Sequence, residues 1–401
     1  MRGITAPKGF KAAGYYSGVK RKRKDLSIVY SENPMTWAAL FTTNVVKAAP
    51  VLWGESLLQE GQPLQALVVN SGNANACTGK QGEVDLQKMV AKTASVLSIP
   101  ENSVLVSSTG VIGVPLPINT ILAGIPQAAK ELSASQEADD AAAEGIMTTD
   151  TFLKKAFVSF DVEGKTVTLG GMAKGSGMIH PNMATMLAFV TTDAEIETSL
   201  LQEMLKAAAD ESYHMISVDG DTSTNDTVAV FANGASGVVI EKDSPGYKAF
   251  KEAFCKIHQD LAIAIVSDGE GAGKLIETKV TGAESKDAAR KIARSIVSSS
   301  LVKTAVFGED ANWGRILCAA GYSGANFDPE KVSIQIVSEN GILDLMDAGK
   351  PIAFDEDLAK SVLSEEKIQF IVALQTGNHE ATAWGCDLSY EYVKINGEYR
   401  T

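Results

Sequence analysis

The chain has 401 residues, 45% of them hydrophobic, and a formal net charge of −13, so it can bury a sizeable core in two domains or in one large domain with a smaller partner. The acidic balance disfavours nucleic acid, whose phosphates call for an excess of Lys and Arg on the contacting face. No apolar run reaches the ~20 residues of a membrane span, and the N-terminus lacks the apolar region of a secretory signal.

The first 24 residues hold Lys and Arg but no acid, as a mitochondrial transit peptide also does, yet Pro7, Gly9 and Gly14 break any amphipathic helix there. The run "KRKRK" at 20–24 reads as a solvated surface feature. Next, "LQALVVN" (64–70) and "SVLVSS" (103–108) read as short buried strands, each followed by a sharp loop of small residues. Helix spacing follows at 118–133 and 136–147. "KAFVSFDV" and "KTVTLGG" then alternate in polarity around Glu163-Gly164 and predict a hairpin. A loop at 174–184 leads into "TMLAFVTT", so Thr185 opens a strand. Beyond it, 197–212 is an amphipathic helix and "DGDTSTNDTVAVFANG" a polar loop entering a strand. The stretch 245–260 is helical, "LAIAIVSDGEGAGK" a buried strand with a Gly-rich exit, and 285–299 another helix. Strands interleaved with helices, some joined by hairpins, predict an α+β or mixed α/β layered fold. Four widely spaced cysteines, Cys77, Cys255, Cys318 and Cys386, indicate neither a disulfide framework nor a zinc ribbon, and fit a reducing cytoplasm.

The stretch "KGSGMIHPNMATMLAFVTTD" (174–193) holds the chemistry. A mid-chain threonine is a poor nucleophile, because no base takes its proton. At a new N-terminus its own α-amine, with a reference pKa near 8, reaches Oγ and serves as that base. Such an N-terminus requires cutting the Ala184–Thr185 bond, by attack of Oγ on the preceding carbonyl and hydrolysis of the resulting ester. Gly175, Ser176, Gly177, Pro181 and Ala184 suit the tight backbone path this needs. By residue type alone, however, an Ala-Thr pair before an apolar run is also an ordinary strand start.

The block "GGMAKGSGMIHPNMATMLAFVTTDA" resembles the signature of the ornithine acetyltransferase (glutamate N-acetyltransferase) family, whose members cleave themselves before that threonine. Further blocks match in order along the whole chain: "GITAPKGFKAAG", "VVNSGNANACTG", "VSSTGVIGVPLP", "GIMTTDTF", "SVDGDTSTNDTV", "SDGEGAGK", "GEDANWGRI" and the tail "WGCDLSYEYVKINGEYRT".

The resemblance implies a layered αββα sandwich, shared with the self-cleaving aminopeptidases, and a smaller C-terminal α/β domain from about residue 280. It implies two self-generated chains, 1–184 and 185–401, that stay together and pair again into a heterotetramer. Thr185 would be both nucleophile and acetyl acceptor. Thr109 and Gly110 would form the oxyanion hole, where losing one donor costs ~3–4 kcal/mol of transition-state stabilisation. Lys174 would meet the substrate carboxylate and Glu270 its amine, with Thr148, Asn396 and Thr401 completing the binding set. Choosing Thr148 over Thr149 or Thr151 depends on hairpin length. The implied reaction passes acetyl from N-acetylornithine to glutamate through an acyl-enzyme, with no metal or organic cofactor, no nucleic acid and no membrane. Some members of the family also take acetyl-CoA as a co-substrate, which the residues do not decide. An N-terminal-nucleophile aminopeptidase or amidohydrolase is the alternative enzyme, and an amino-acid-binding protein the non-catalytic one.

Three other signals are weaker. "GEGAGK" (269–274) is close to a phosphate loop but is too short, with no Ser or Thr after the lysine. "DGDTSTND" (219–226) lacks calcium-loop spacing and reads as a solvated or structural loop. His180, His214, His258 and His379 show no metal-ligand spacing, and the amine of Thr185 already fills the base role that His180 would offer.

Overall fold

The computed structural model describes residues 2–180 and 186–398. The chain begins with β1 (Phe10–Tyr15), β2 (Leu26–Phe41), α1 (Ala49–Glu60), β3 (Leu64–Asn73), α2 (Gly79–Leu97), β4 (Val104–Val111), α3 (Ile118–Lys130) and α4 (Gln136–Ile146). There follow β5 (Lys154–Val162), β6 (Lys165–Lys174), β7 (Leu187–Thr192), β8 (Glu195–Ile196), α5 (Thr198–Asp210), β9 (Ile216–Ser217), β10 (Thr227–Ala232), β11 (Val239–Ile240) and α6 (Tyr247–Ser267). The last part holds β12 (Leu275–Ala283), α7 (Lys286–Ser298), α8 (Ser300–Phe307), α9 (Trp313–Gly321), β13 (Ser333–Ser338), β14 (Gly341–Asp347), β15 (Lys350–Pro351), α10 (Glu356–Leu363), β16 (Lys367–Ala373), β17 (His379–Cys386) and α11 (Tyr390–Glu398).

Strand β2 is long because it serves two sheets. Its first half pairs with β1 and β3, the register breaks between Tyr30 and Met35, and its second half, Thr36–Phe41, pairs with β10. A register break bends a strand and increases its twist, and here it carries the chain from one sheet into the other. The first sheet runs β1-β2-β3-β4, and the second runs β2-β10-β7-β6-β5.

Alternate residues of each strand face opposite ways, and burial separates the two sets. Leu67, Val69 and Leu105 of the first sheet share one apolar cluster with Met172, Leu187, Phe189, Ala229 and Phe231 of the second. Their neighbours Ala66, Val68, Val104 and Val106 instead pack against Met89 and Val90 of α2 and Ile121 and Ile125 of α3. On the far side, Leu169, Val190 and Val230 pack with Leu201 and Leu205 of α5 and Phe254 and Ile257 of α6. Helices, sheet, sheet, helices is the layered αββα order expected.

One predicted strand is a helix. Residues 261–267 continue α6, whose buried Phe250, Phe254, Ile257, Leu261 and Ile265 recur every three or four positions. "LAIAIVS" read alone is an unbroken apolar run, and such a run looks the same in a buried strand and in a helix pressed against a core. The final sheet, β15-β14-β13-β16-β12-β17-β9, starts at Leu275 and also takes in β9 from earlier in the chain. Among the described residues no helix is long and apolar enough to cross a membrane, and all four cysteines are free.

A buried polar network fastens the segment before β5 to the end of α6. Lys154, 1% exposed, donates to Asp150 Oδ1 at 2.6 Å and to Asp268 Oδ2 at 2.5 Å. Asp268 also accepts the Thr151 N–H at 2.9 Å and the Thr151 hydroxyl, while Asp150 accepts the N–H of Gly175 and of Thr148, each at 2.8 Å. Burial alone would raise the Asp150 carboxyl, but Lys174, Lys154 and the Gly175 N–H hold it down at about 2.

Two outcomes follow from this packing. Phe189, fully buried between the sheets, is expected to cost about 3–5 kcal/mol on replacement by Ala, read as a lowered denaturant midpoint. Because the Asp150 carboxyl lies below its unfolded value of 3.8, its stabilisation is complete above about pH 4 and is lost as pH falls towards about 2. Asp150→Asn is therefore expected to flatten the loss of thermal stability over that interval, and equal slopes for variant and wild type would count against the network.

Candidate active site

The two inner sheet faces meet at one end of the sandwich. Thr109 pairs with Ser71 near the end of β4, and Lys174 ends β6 opposite Leu187. Thr109 falls on the same face as Leu105, and Lys174 on the same face as Met172, so both side chains enter the space between the sheets. Lys174 Nζ donates to Thr109 Oγ1 at 3.3 Å. That bond uses a lone pair of the threonine oxygen and leaves its hydroxyl proton free to donate elsewhere. Gly110 follows with φ +133°, and a Cβ there would lie 2.3 Å from the Gly72 carbonyl carbon of β3. Only glycine permits this turn of the backbone at the strand end.

The opposite wall is acidic. Glu270 lies in the turn after α6, its N–H bonded to the Ser176 carbonyl at 2.9 Å. Its carboxylate sits where a Cβ of Gly177 would be, 2.3 Å from Oε2. Any side chain at 177 would displace it. Asn396 Nδ2 of α11 donates to Glu270 Oε2 at 2.8 Å. The helix is held in place by the Ser389 hydroxyl on the Gly271 carbonyl at 2.5 Å and by the Tyr392 hydroxyl on Asp219 Oδ2 at 3.2 Å. Between the walls lies an open cavity of about 120 Å³, and Thr109, Gly110, Thr148, Lys174, Glu270 and Asn396 all line it. Thr149 lines it too, whereas Thr151 is turned into the buried network on Asp268.

Thr185, Ala184 and Thr401 lie outside the described residues. The chain on either side of the 181–185 segment is anchored beside the cavity. Upstream, Gly177 and Met178 line it and Asp219 accepts the Ile179 N–H at 2.8 Å. Downstream, Asp226 Oδ1 accepts the Met186 N–H at 3.0 Å.

Several contributors escaped sequence reading. Ser223, Thr224 and Asn225 form part of the lining, and Asn225 Nδ2 ties the strand ends together by donating to the carbonyls of Ala74 at 2.6 Å and Ser108 at 2.8 Å. Asp226 is fully buried, and burial pushes its carboxyl well above the usual range. Its Oδ2 has no hydrogen-bond partner among the described residues. The signal was present in "DGDTSTND": its last two polar residues abut the wholly buried strand β10, and a solvated loop has no reason to place them there.

The basic run proves only partly solvated. Lys20 Nζ donates to the Met147 carbonyl at 2.9 Å and Arg23 to that of Asp150 at 2.7 Å, bracing the Thr148 segment. Burial lowers the Lys20 ammonium to about 8. Lys274 of "GEGAGK" is engaged by Glu309 at 2.9 Å and by the Leu363 carbonyl, so it is not displayed to a phosphate. His180 does not line this cavity, and its Nδ1 lies 3.2 Å from Ser217 Oγ.

Electrostatics divide the cavity. Burial lowers the Lys174 ammonium, and Lys154 acts in the same direction, while Asp150, Glu270 and Asp226 pull it back up. A cation on one wall, a carboxylate on the other and hydroxyl and amide groups between them suit a small ligand carrying both charges.

The family model described as the ArgJ family matches residues 11–401. The arginine biosynthesis bifunctional protein ArgJ of Caldanaerobacter subterraneus subsp. tengcongensis is 54% identical over 399 residues, covering 99% of this chain and 98% of the relative. That of Thermotoga neapolitana is 52% identical over 397 residues, covering 98% and 99%. Among solved structures, arginine biosynthesis bifunctional protein ArgJ of Bacillus halodurans is similar with a TM-score of 0.51 and 44% identity, covering 54% of this chain and 100% of that one. With its cavity, its sandwich and near full-length identity to these relatives, the chain belongs to the ArgJ family.

Proposed function

We propose that this chain is an acetyltransferase of arginine biosynthesis that moves the acetyl group of N2-acetyl-L-ornithine to L-glutamate, yielding L-ornithine and N-acetyl-L-glutamate. The convergence of Thr109, Gly110, Thr148, Lys174, Glu270 and Asn396 on one cavity carries the reading, because these residues come from separate elements spread along nearly 300 residues.

In this mechanism the chain cuts itself between Ala184 and Thr185, and the freed amine of Thr185 takes the proton from its own Oγ. Oγ attacks the acetyl carbonyl, and the tetrahedral oxyanion is held by the Gly110 N–H and the Thr109 hydroxyl. The Lys174 bond to Thr109 Oγ1 supports the donor role of that hydroxyl. Lys174 takes the substrate carboxylate, and Glu270, aligned by Asn396, takes the side-chain amine. Thr148 and Thr401 complete the binding set. After ornithine leaves, the amine of glutamate attacks the acetyl-threonine, so a shielded site must keep water from doing so first. The step needs no metal or organic cofactor, and acetyl-CoA remains a second donor for assay.

The products of self-cutting are a 1–184 chain and a 185–401 chain, assembled two of each in a reducing cytoplasm. The Bacillus halodurans chain supports the division: its whole length matches 54% of this one, the share that residues 185–401 make of 401.

Acetyl transfer from N2-acetylornithine to glutamate, measured beside release of free acetate, tests the function. Transfer should dominate; acetate as the main product would make the chain an amidohydrolase instead. Thr185→Ala is expected to remain one band near 42.3 kDa and to lose transfer by more than about 10³-fold, the scale of removing a covalent nucleophile, whereas Thr185→Ser keeps part of both, as intact mass and initial rates will show. Lys174→Ala should raise KM for N2-acetylornithine about tenfold or more while mature two-chain protein still forms.

A further inference from the structure

A second cavity, about 420 Å³ in volume, is lined by His180, Lys291, Arg294 and Ser298 among others. Lys291, Arg294, Ser295 and Ser298 follow one another at helical spacing, so a single face of α7 forms one wall. No carboxylate is among the lining residues, although the chain as a whole carries a net charge of −13. Acids stand just behind this lining, Asp287 beside Lys291 and Arg294 and Asp221 beside His180, but the concave wall itself presents cations and hydroxyls.

The cations of α7 are not equivalent. Lys286 and Arg290 both pair with Glu211, and Lys291 pairs with Asp287 at 2.6 Å. Arg294 has neither ion pair nor hydrogen bond among the described residues, and it is only half-exposed. Burial lowers its guanidinium, Asp287 pulls it back up, and Arg290 adds to the lowering. One turn on, Ser298 Oγ is buried with no hydrogen-bond partner. The buried hydroxyl is costly to leave unpaired, and the part-exposed guanidinium beside it has no hydrogen bond to give up in taking an anion.

The remaining lining supplies donors. Ser299 caps the N-terminus of α8, with its Oγ accepting the Val302 N–H at 3.4 Å, so the positive end of that helix is at the cavity. Ser323 Oγ accepts the Ala325 N–H at 3.3 Å and keeps its proton to donate. His180 engages Ser217 through Nδ1 and keeps its other ring nitrogen. We infer that this cavity is a phosphate-binding site, taking the phosphate group either as the free ion or as part of a small phosphorylated ligand. A tetrahedral anion has enough acceptor oxygens for the guanidinium, the Lys291 ammonium and two or three hydroxyls together; a carboxylate has two oxygens and leaves donors unused. The site is separate from the acetyl-transfer cavity, though the segment 177–180 borders both.

The test is calorimetric titration of the purified full-length protein at fixed ionic strength with inorganic phosphate, AMP, adenosine and glutamate. Saturable binding of phosphate in the millimolar range or tighter is expected, with Arg294→Ala weakening it about tenfold or more and Ser298→Ala by less. Equal affinity for phosphate and AMP identifies the free ion as the ligand, and AMP binding at least tenfold tighter identifies a phosphorylated molecule; either supports the site. Absence of saturable heat with both, displacement of phosphate by glutamate at equal concentration, or wild-type phosphate affinity in both Arg294→Ala and Ser298→Ala would overturn it. Binding is read without turnover, so the outcome stands whatever the acetyl-transfer assay returns. Should Arg294→Ala not fold, Arg294→Lys, which keeps the charge and loses the fork, takes its place with the same expected weakening.

Discussion

Lys174 places an ammonium group between two β-sheets, on the wall of the cavity and only 3% exposed. A buried unpaired charge costs several kcal/mol, so the surroundings of this one are constrained. Asp150, Glu270 and Asp226 all act on it favourably, and each comes from a different part of the chain. Asp150 is itself braced by Lys154, which draws in Asp268 at the end of α6. Glu270 follows two residues later and reaches the cavity only because position 177 has no side chain. The position of the acidic wall is thus coupled to the compensation of one cation.

The same arrangement explains how the protein would survive a cut between 184 and 185. Strand β7, which follows the cut, lies inside the second sheet, bonded to β6 on one side and β10 on the other. Asp268 binds Lys154 and Thr151 across the two parts, and β2 pairs with β10. Covalent continuity at one peptide bond is small beside this set of sheet and network bonds, so the two pieces have no reason to separate once folded.

Local structure was largely legible. The strands at 64–70 and 103–108, the hairpin at 154–174 and the helices at 118–130, 136–146, 198–210 and 286–298 follow from spacing and turn residues that act within a few positions. The helix at 261–267 is hidden for a local reason as well: its phase is set by Phe250, Phe254 and Ile257, which lie outside the apolar run. Asp226, Asn225 and Asp150 were not legible as site residues. Their importance lies in what faces them across the fold, and residue type carries no record of that.

What the sequence alone determined was the set of short-range preferences and, through the resemblance of its dispersed blocks, the chemistry to be expected of Thr109, Gly110, Lys174 and Glu270. What only the tertiary structure decided was which charges meet. Register within each strand sends Thr109 and Lys174 to the same interior, the bend in β2 sets one sheet over the other, and α11 returns Asn396 to Glu270 across 126 positions. Electrostatic and hydrogen-bond energies depend on distance in space and on exclusion of water, and neither quantity exists until the sheets have closed on each other.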